Sequence, residues 1–180
     1  MGKRFTEEEL REALALIKEP EQRNIILEAD DPVLWSENVF FDPDLGETPF
    51  KVKPMFAPVL RSSKKNRALR VGRQSGKTVH LCVDLCHTAA MFENRVILVF
   101  LPEKKQMNRI LEVMANLLKN SPVKSSFVMG RKDKRRKKEN VESDYDYEIK
   151  VSSGSVIRFF FMKNNPDKAR GQRGTNIYID

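Results

Sequence analysis

The sequence predicts an α/β fold, a mostly parallel sheet flanked by helices, and three observations carry that expectation. Residues 96–101 read Val-Ile-Leu-Val-Phe-Leu, an almost wholly apolar run that suits a strand buried on both faces. Ahead of it, a loop ending in Gly76-Lys77-Thr78 follows a short apolar stretch and leads into a helical pattern. Behind it, Met107, Ile110, Leu111, Met114, Leu117 and Leu118 recur at the spacing of one helix face. Strand, loop, helix, strand, helix is the order of a sheet built with crossover connections.

The elements follow in order. Thr6-Glu7-Glu8-Glu9 is a capping box, and Leu10, Ala13, Leu14 and Ile17 then recur at helical spacing until Pro20. A second helix is expected through Asn24-Ile25-Ile26-Leu27. Asp30-Asp31-Pro32 breaks the chain and can cap a short helix through Trp35. Residues 40–58 hold several prolines and a Leu45-Gly46 turn, and read as an irregular arm approaching the loop. Ala68-Leu69-Arg70-Val71 reads as a short buried strand, and residues 79–91 as the helix after the loop. Pro102 and Glu103 open the next helix. Residues 131–138, all but one Lys or Arg, read as an exposed loop. Residues 147–151 and 155–161 flank Ser152-Ser153-Gly154 as a β-hairpin insertion. After a turn cluster at 164–167 and a basic, glycine-containing loop at 168–174, the chain closes on Asn176-Ile177-Tyr178-Ile179-Asp180.

Length and composition bound the function. The 180 residues suffice for one domain with a real core, and 32% charged against 40% hydrophobic residues fits a soluble globular protein. Lys and Arg number 33 against 25 Asp and Glu, a net charge of +8 that suits a polyanionic partner such as nucleotide or nucleic acid. No apolar run reaches the length of a membrane span, and no h-region follows the N-terminus. Cys82 and Cys86 form no disulfide framework, so a reducing cytosol is the expected compartment.

The loop carries the chemistry. A polyphosphate needs backbone N–H groups aimed at it, a lysine for charge and a hydroxyl to help hold Mg²⁺. Gly72-Arg73-Gln74-Ser75-Gly76-Lys77-Thr78 supplies all three. Ser75 and Gly76 offer N–H groups, Lys77 reaches the β- and γ-phosphates, and Thr78 reaches the metal. The common form of this loop has glycine where Val71 stands, and here Gly72 comes one residue late. Arg73 has two readings, a finger that stabilises charge during phosphoryl transfer or a salt bridge to a neighbouring loop. The terminal apolar run ending in Asp180 has the form of a Walker B strand, whose aspartate holds Mg²⁺. ATP and Mg²⁺ are therefore the expected cofactors. His80, Cys82, Cys86 and His87 invite a metal reading, but at 100° per residue the histidines and cysteines face nearly opposite ways. The basic run at 131–138 lacks interleaved aromatic residues for base stacking.

Gly72-Arg73-Gln74-Ser75-Gly76-Lys77-Thr78 resembles the deviant Walker A loop of large terminase subunits, the ATPase motors that package DNA into tailed-phage capsids. Trp35 through Phe50 resembles the family's arm, Ser153-Gly154-Ser155-Val156-Ile157 its hairpin, and Arg170-Gly171 with Arg173-Gly174 the loop before its Walker B strand. The likeness runs from about Asp31 to Asp180. It implies a RecA-like (ASCE) P-loop NTPase fold and double-stranded DNA, a portal protein and a small terminase subunit as partners. It further implies a ring oligomer in the complete motor and a location in the host cytoplasm. Where many relatives carry an adenine-reading glutamine, this chain has Phe56, which implies recognition by stacking or by backbone groups, or else a plain core residue.

The resemblance also implies a glutamate directly after Asp180 to position the attacking water, then a coupling motif and a nuclease domain. The sequence stops before them, so the expectation is a helical arm over 1–50 and a partial ATPase domain over 51–180, with weak or absent turnover. Two other readings stand beside this one: a fragment of a RecA-like helicase or translocase, and a non-catalytic basic protein that binds nucleic acid by charge.

Overall fold

The computed structural model describes residues 30–42, 48–64, 66–130, 145–163 and 172–179. The helices expected over 6–27, the Leu45-Gly46 turn, the basic run, the 164–167 turn, Arg170-Gly171 and Asp180 lie outside them. Four α-helices are described: α1 (Pro32–Val39), α2 (Ala57–Leu60), α3 (Lys77–Met91) and α4 (Lys104–Leu118). Five strands, β1 (Val96–Leu101), β2 (Phe127–Gly130), β3 (Tyr147–Val151), β4 (Val156–Phe161) and β5 (Asn176–Ile179), form one sheet in the order β2-β3-β4-β1-β5. None of the described helices is long and apolar enough to cross a membrane.

The sheet is mixed rather than mostly parallel. β1 pairs parallel with β4 and β5, while β2–β3 and β3–β4 are antiparallel. The expected hairpin forms across Ser152-Ser153-Gly154, with Ile149 opposite Ile157. It is no insertion, however, because its second strand also pairs along the whole of β1. The hairpin therefore belongs to the body of the sheet.

β1 is buried on both faces, as its composition predicts. Ile97, Val99 and Leu101 join the main core with α3 and α4, while Leu98 and Phe100 meet Phe160 on the other face. Full burial of such side chains contributes about 1.5–3 kcal/mol each. α4 turns Met107, Ile110, Met114 and Leu117 into the same core, and its start is a capping box between Glu103 and Gln106. Cys82 and Cys86 are fully buried on α3. Burial pushes the Cys86 thiol up to about 12 and the Cys82 thiol well above its ordinary value, so both act as small apolar groups. No group of metal-ligating side chains occurs among the described residues.

The expected strand at Ala68-Leu69-Arg70-Val71 does not form. Residues 66–70 run exposed and unpaired, and no described strand lies beside them in the sheet. A four-residue segment becomes a strand only where a neighbour takes up its backbone hydrogen bonds.

Two arrangements place the loop's helix. At its C-terminal end, Ser153 Oγ donates to the Ala89 carbonyl and Ser155 Oγ to the Phe92 carbonyl, both at 2.6 Å. The hairpin turn thus takes up carbonyls that the ending helix leaves over. On α3's flank sits α1, whose N-cap is Asp31, with Pro32 behind it as expected. Asp31 Oδ1 accepts from the Val33 N–H at 2.8 Å, and the carboxylate also pairs with Arg61 at 2.8 Å. Glu37 of α1 then accepts from the Val52 N–H at 3.0 Å, fixing the arm that leads to the loop.

Asp31→Ala is expected to cost about 1 kcal/mol, mostly the lost cap, since the Arg61 pair is solvent-exposed and worth little. Burial pulls the Asp31 pKa up, but hydrogen bonds from Arg61, Val33 and Leu34 and the Arg61 charge outweigh it and hold the carboxyl low. A depressed folded-state pKa gives stability that is present above the ordinary carboxylate value and lost as pH falls below it. The melting-temperature gap between wild type and Asp31→Ala should therefore be full at neutral pH and shrink below about pH 4. A gap that stays constant through the acid range would remove the ionic role.

Candidate functional site

α3 begins at the glycine loop. Gly76 is its N-cap, with φ 96° and ψ 13°, a left-handed conformation that glycine adopts without penalty. Gln74 is also left-handed at φ 60°. Lys77 and Thr78 occupy the first turn, and no acidic side chain lies in that turn. Backbone N–H groups and the helix dipole at such a start favour an anion.

The loop residues separate by environment. Gly72, Arg73, Gln74 and Lys77 are exposed, whereas Ser75, Gly76 and Thr78 are half-buried. A side chain at Gly72 would meet nothing within 4 Å, so its surroundings are open. Ser75 Oγ is buried with no hydrogen-bond partner. A buried hydroxyl without a partner costs free energy that a bound polar group can recover. That orphan, the open space at Gly72, and the lysine and threonine at the helix start all fit a phosphate group and its metal.

Beneath the loop lies a set of contacts that residue patterns did not signal. Lys53 Nζ donates to the Ser75 carbonyl at 3.0 Å, and the Lys53 N–H donates to His80 Nε2 at 3.1 Å. His80 Nδ1 lies 2.9 Å from the Gly76 carbonyl. Since a peptide N–H only donates, Nε2 accepts, and the proton sits on Nδ1, donating to Gly76. Burial lowers the His80 pKa, a shift that the Gly76 carbonyl opposes and the Lys53 charge reinforces. The ring is therefore the neutral Nδ1–H tautomer.

Phe56 is 1% exposed and its ring stacks on His80, with centroids 4.0 Å apart and planes 12° from parallel. One face of that ring is thus already covered, which favours its core reading over adenine stacking. Arg73 is exposed in the loop's turn.

A cleft of about 680 Å³ opens beside the helix start, lined by Lys77, His80, Asp84, Arg67, Tyr178 and other residues. Asp84 accepts from Arg67 and from the Tyr178 hydroxyl, each at 2.9 Å. Burial and the Asp84 charge raise the Tyr178 pKa, so the phenol stays protonated and donates. This cluster ties the segment before the loop to α3 and to β5. Gly174, in the expected Arg-Gly loop, passes so close to β1 that a Cβ would stand 2.7 Å from the Leu98 side chain. That approach seats β5 beside β1.

Fold and site together define an α/β protein with a left-handed glycine turn delivering a lysine and a threonine at the start of a central helix. Residues 69–180 match the family model described as terminase large subunit, T4likevirus-type, N-terminal. The chain belongs to that family of large terminase subunits, which serve phage DNA packaging. No curated protein matches the chain.

Proposed function

We propose that this chain is the ATP-binding module of a DNA-packaging motor, with a P-loop NTPase fold and MgATP held on the loop from Gly72 to Thr78. The observation that carries the reading is the left-handed Gly76 turn, which sets Lys77 and Thr78 at the mouth of α3 beside the partnerless Ser75 hydroxyl.

The residues divide the work. Ser75 and Gly76 bind phosphate oxygens through N–H groups, and Lys77 supplies the compensating charge. Thr78 and Asp180 are the metal ligands of this reading. Mg²⁺, when bound, neutralises charge across the phosphate oxygens. Arg73, exposed in the loop, is the residue for stabilising charge as the γ-phosphoryl group moves. ATP hydrolysis coupled to translocation of double-stranded DNA, with a portal protein and small terminase subunit as partners, is what membership of the family supports. The match also favours a terminase over the helicase reading. The net charge of +8 further suits a DNA partner.

Calorimetric titration of the chain with MgATP tests the site. Lys77→Ala removes a charge-assisted contact and should weaken binding about tenfold or more. Equal affinity in wild type and Lys77→Ala would remove the loop from the binding site.

A further inference from the structure

We propose that Lys53 and His80 are positioning residues that preset the phosphate loop before a polyphosphate arrives. This deepens the nucleotide-binding reading and rests on it.

In a trans peptide, the carbonyl of one residue and the N–H of the next share a plane and point in opposite directions. Lys53 Nζ holds the Ser75 carbonyl at 3.0 Å, so the Gly76 N–H is turned to the other side. His80 Nδ1 holds the Gly76 carbonyl at 2.9 Å, which turns the Lys77 N–H away in the same manner. The two side chains grip the carbonyl side of two successive peptides, and the donor side is left for an anion. The Gly76 carbonyl also accepts the backbone N–H of His80 at 3.1 Å, as part of α3. The Ser75 carbonyl precedes that first helical bond, so its peptide is the one Lys53 orients.

The backbone here needs such support. Gln74 and Gly76 both have positive φ, 60° and 96°, and a left-handed non-glycine residue persists only where its surroundings over-determine it. The His80 half of the grip is fixed by packing. His80 is 4% exposed and stacked on Phe56, with the Phe50 ring 5.7 Å away, and its Nε2 is occupied by the Lys53 N–H. Lys53 thus acts twice, its N–H setting the His80 ring and its ammonium holding the loop. Gly76 packs directly on both groups: a Cβ there would lie 3.3 Å from Lys53 Nζ and 3.5 Å from His80 Nδ1. The arm that carries Lys53 becomes a working part of the loop, not only an approach to it.

The test uses Lys53→Met, Lys53→Arg and His80→Leu, with MgATP affinity measured by calorimetry and amide resonances by NMR on the unligated chain. Lys53 is exposed, so Lys53→Met should fold and melt near wild type. Its MgATP affinity should fall roughly tenfold, and the Gly76 and Lys77 amide resonances should move without ligand. Lys53→Arg keeps a cationic donor and should recover most of both. The ¹⁵N shifts of the His80 ring should report a proton on Nδ1.

Lys53→Met binding as tightly as wild type overturns the proposal, whether or not His80→Leu folds. Weakened binding with unmoved Gly76 and Lys77 resonances also overturns it, because Lys53 then acts as a charge on the ligand. If wild type binds no MgATP, the nucleotide reading fails and the grip with it. If Lys77→Ala abolishes binding but Lys53→Met does not, only the grip fails.

Discussion

Gly76→Ala should lower both stability and nucleotide affinity, while Gly72→Ala should change neither by much. The sequence pattern already sets them apart, since Gly72 stands one residue late, and the structure supplies the physical reason. Gly76 sits at φ 96°, where an L-residue costs about 1–2 kcal/mol. For a chain of this size that is roughly 2–8 °C in melting temperature. The new methyl would also crowd Lys53 Nζ at 3.3 Å and touch the His80 ring at an ordinary contact distance of 3.5 Å. Lys53 holds the Ser75 carbonyl, so the crowding and the strained φ together disturb the peptide that follows Ser75. Affinity for MgATP should fall at least tenfold. Gly72, unlike Gly76, does not have a positive φ, and a Cβ there meets nothing within 4 Å. Differential scanning fluorimetry with and without MgATP reads both effects on both variants. Equal behaviour of the two would mean that the left-handed turn does not shape the site.

Sequence pattern and structure part where interactions become long-range. β1, α4 and the Asp31-Pro32 helix start were legible because each depends on local chemistry: a doubly apolar run, a 3.6-residue period, a cap with a proline behind it. The hairpin was legible from its serine-glycine turn, but its place in the sheet was not. The β-branched and aromatic run says that Val156 to Phe161 forms a strand, and nothing in it says that β1 lies along the other edge. The expected strand at 68–71 shows the converse, since a short segment without a paired neighbour in the sheet forms no strand and stays mostly exposed. In the loop, residue types pointed to Ser75, Gly76, Lys77 and Thr78. Lys53 carried no signal, because a lysine that holds a backbone carbonyl looks like any surface lysine. His80 drew notice as a metal candidate, and its true neighbours, Phe56 and Lys53, reach it only through folding of the arm.

Phe159→Ala should be among the most destabilising single changes in the sheet. Phe159 is fully buried on β4, beside Val99 of β1 on one side and Tyr147 of β3 on the other. The parallel half of the sheet meets its antiparallel half at this strand. Its ring also makes an edge-on contact with Tyr147, centroids 6.3 Å apart. Removing a buried phenyl ring costs about 3–5 kcal/mol through lost transfer energy and the cavity left behind. Against a typical total of 5–15 kcal/mol, that removes a large share of the stability. The melting temperature should drop by roughly 6–20 °C. Ile179→Ala on β5 deletes a large aliphatic side chain that is 82% exposed, so it should stay within about 0.5 kcal/mol of wild type. The contrast bears on function as well as stability. α3 is held at its far end by Ser153 and Ser155, in the turn between β3 and β4, and that hold does not run through the Phe159 ring. Measured well below the melting point, Phe159→Ala should therefore bind MgATP with near-wild-type affinity, whereas Gly76→Ala should not. Chemical denaturation and calorimetry on the two variants together would separate a residue that holds the sheet from one that shapes the site. Equal stability losses in Phe159→Ala and Ile179→Ala would contradict the packing of β4 described here.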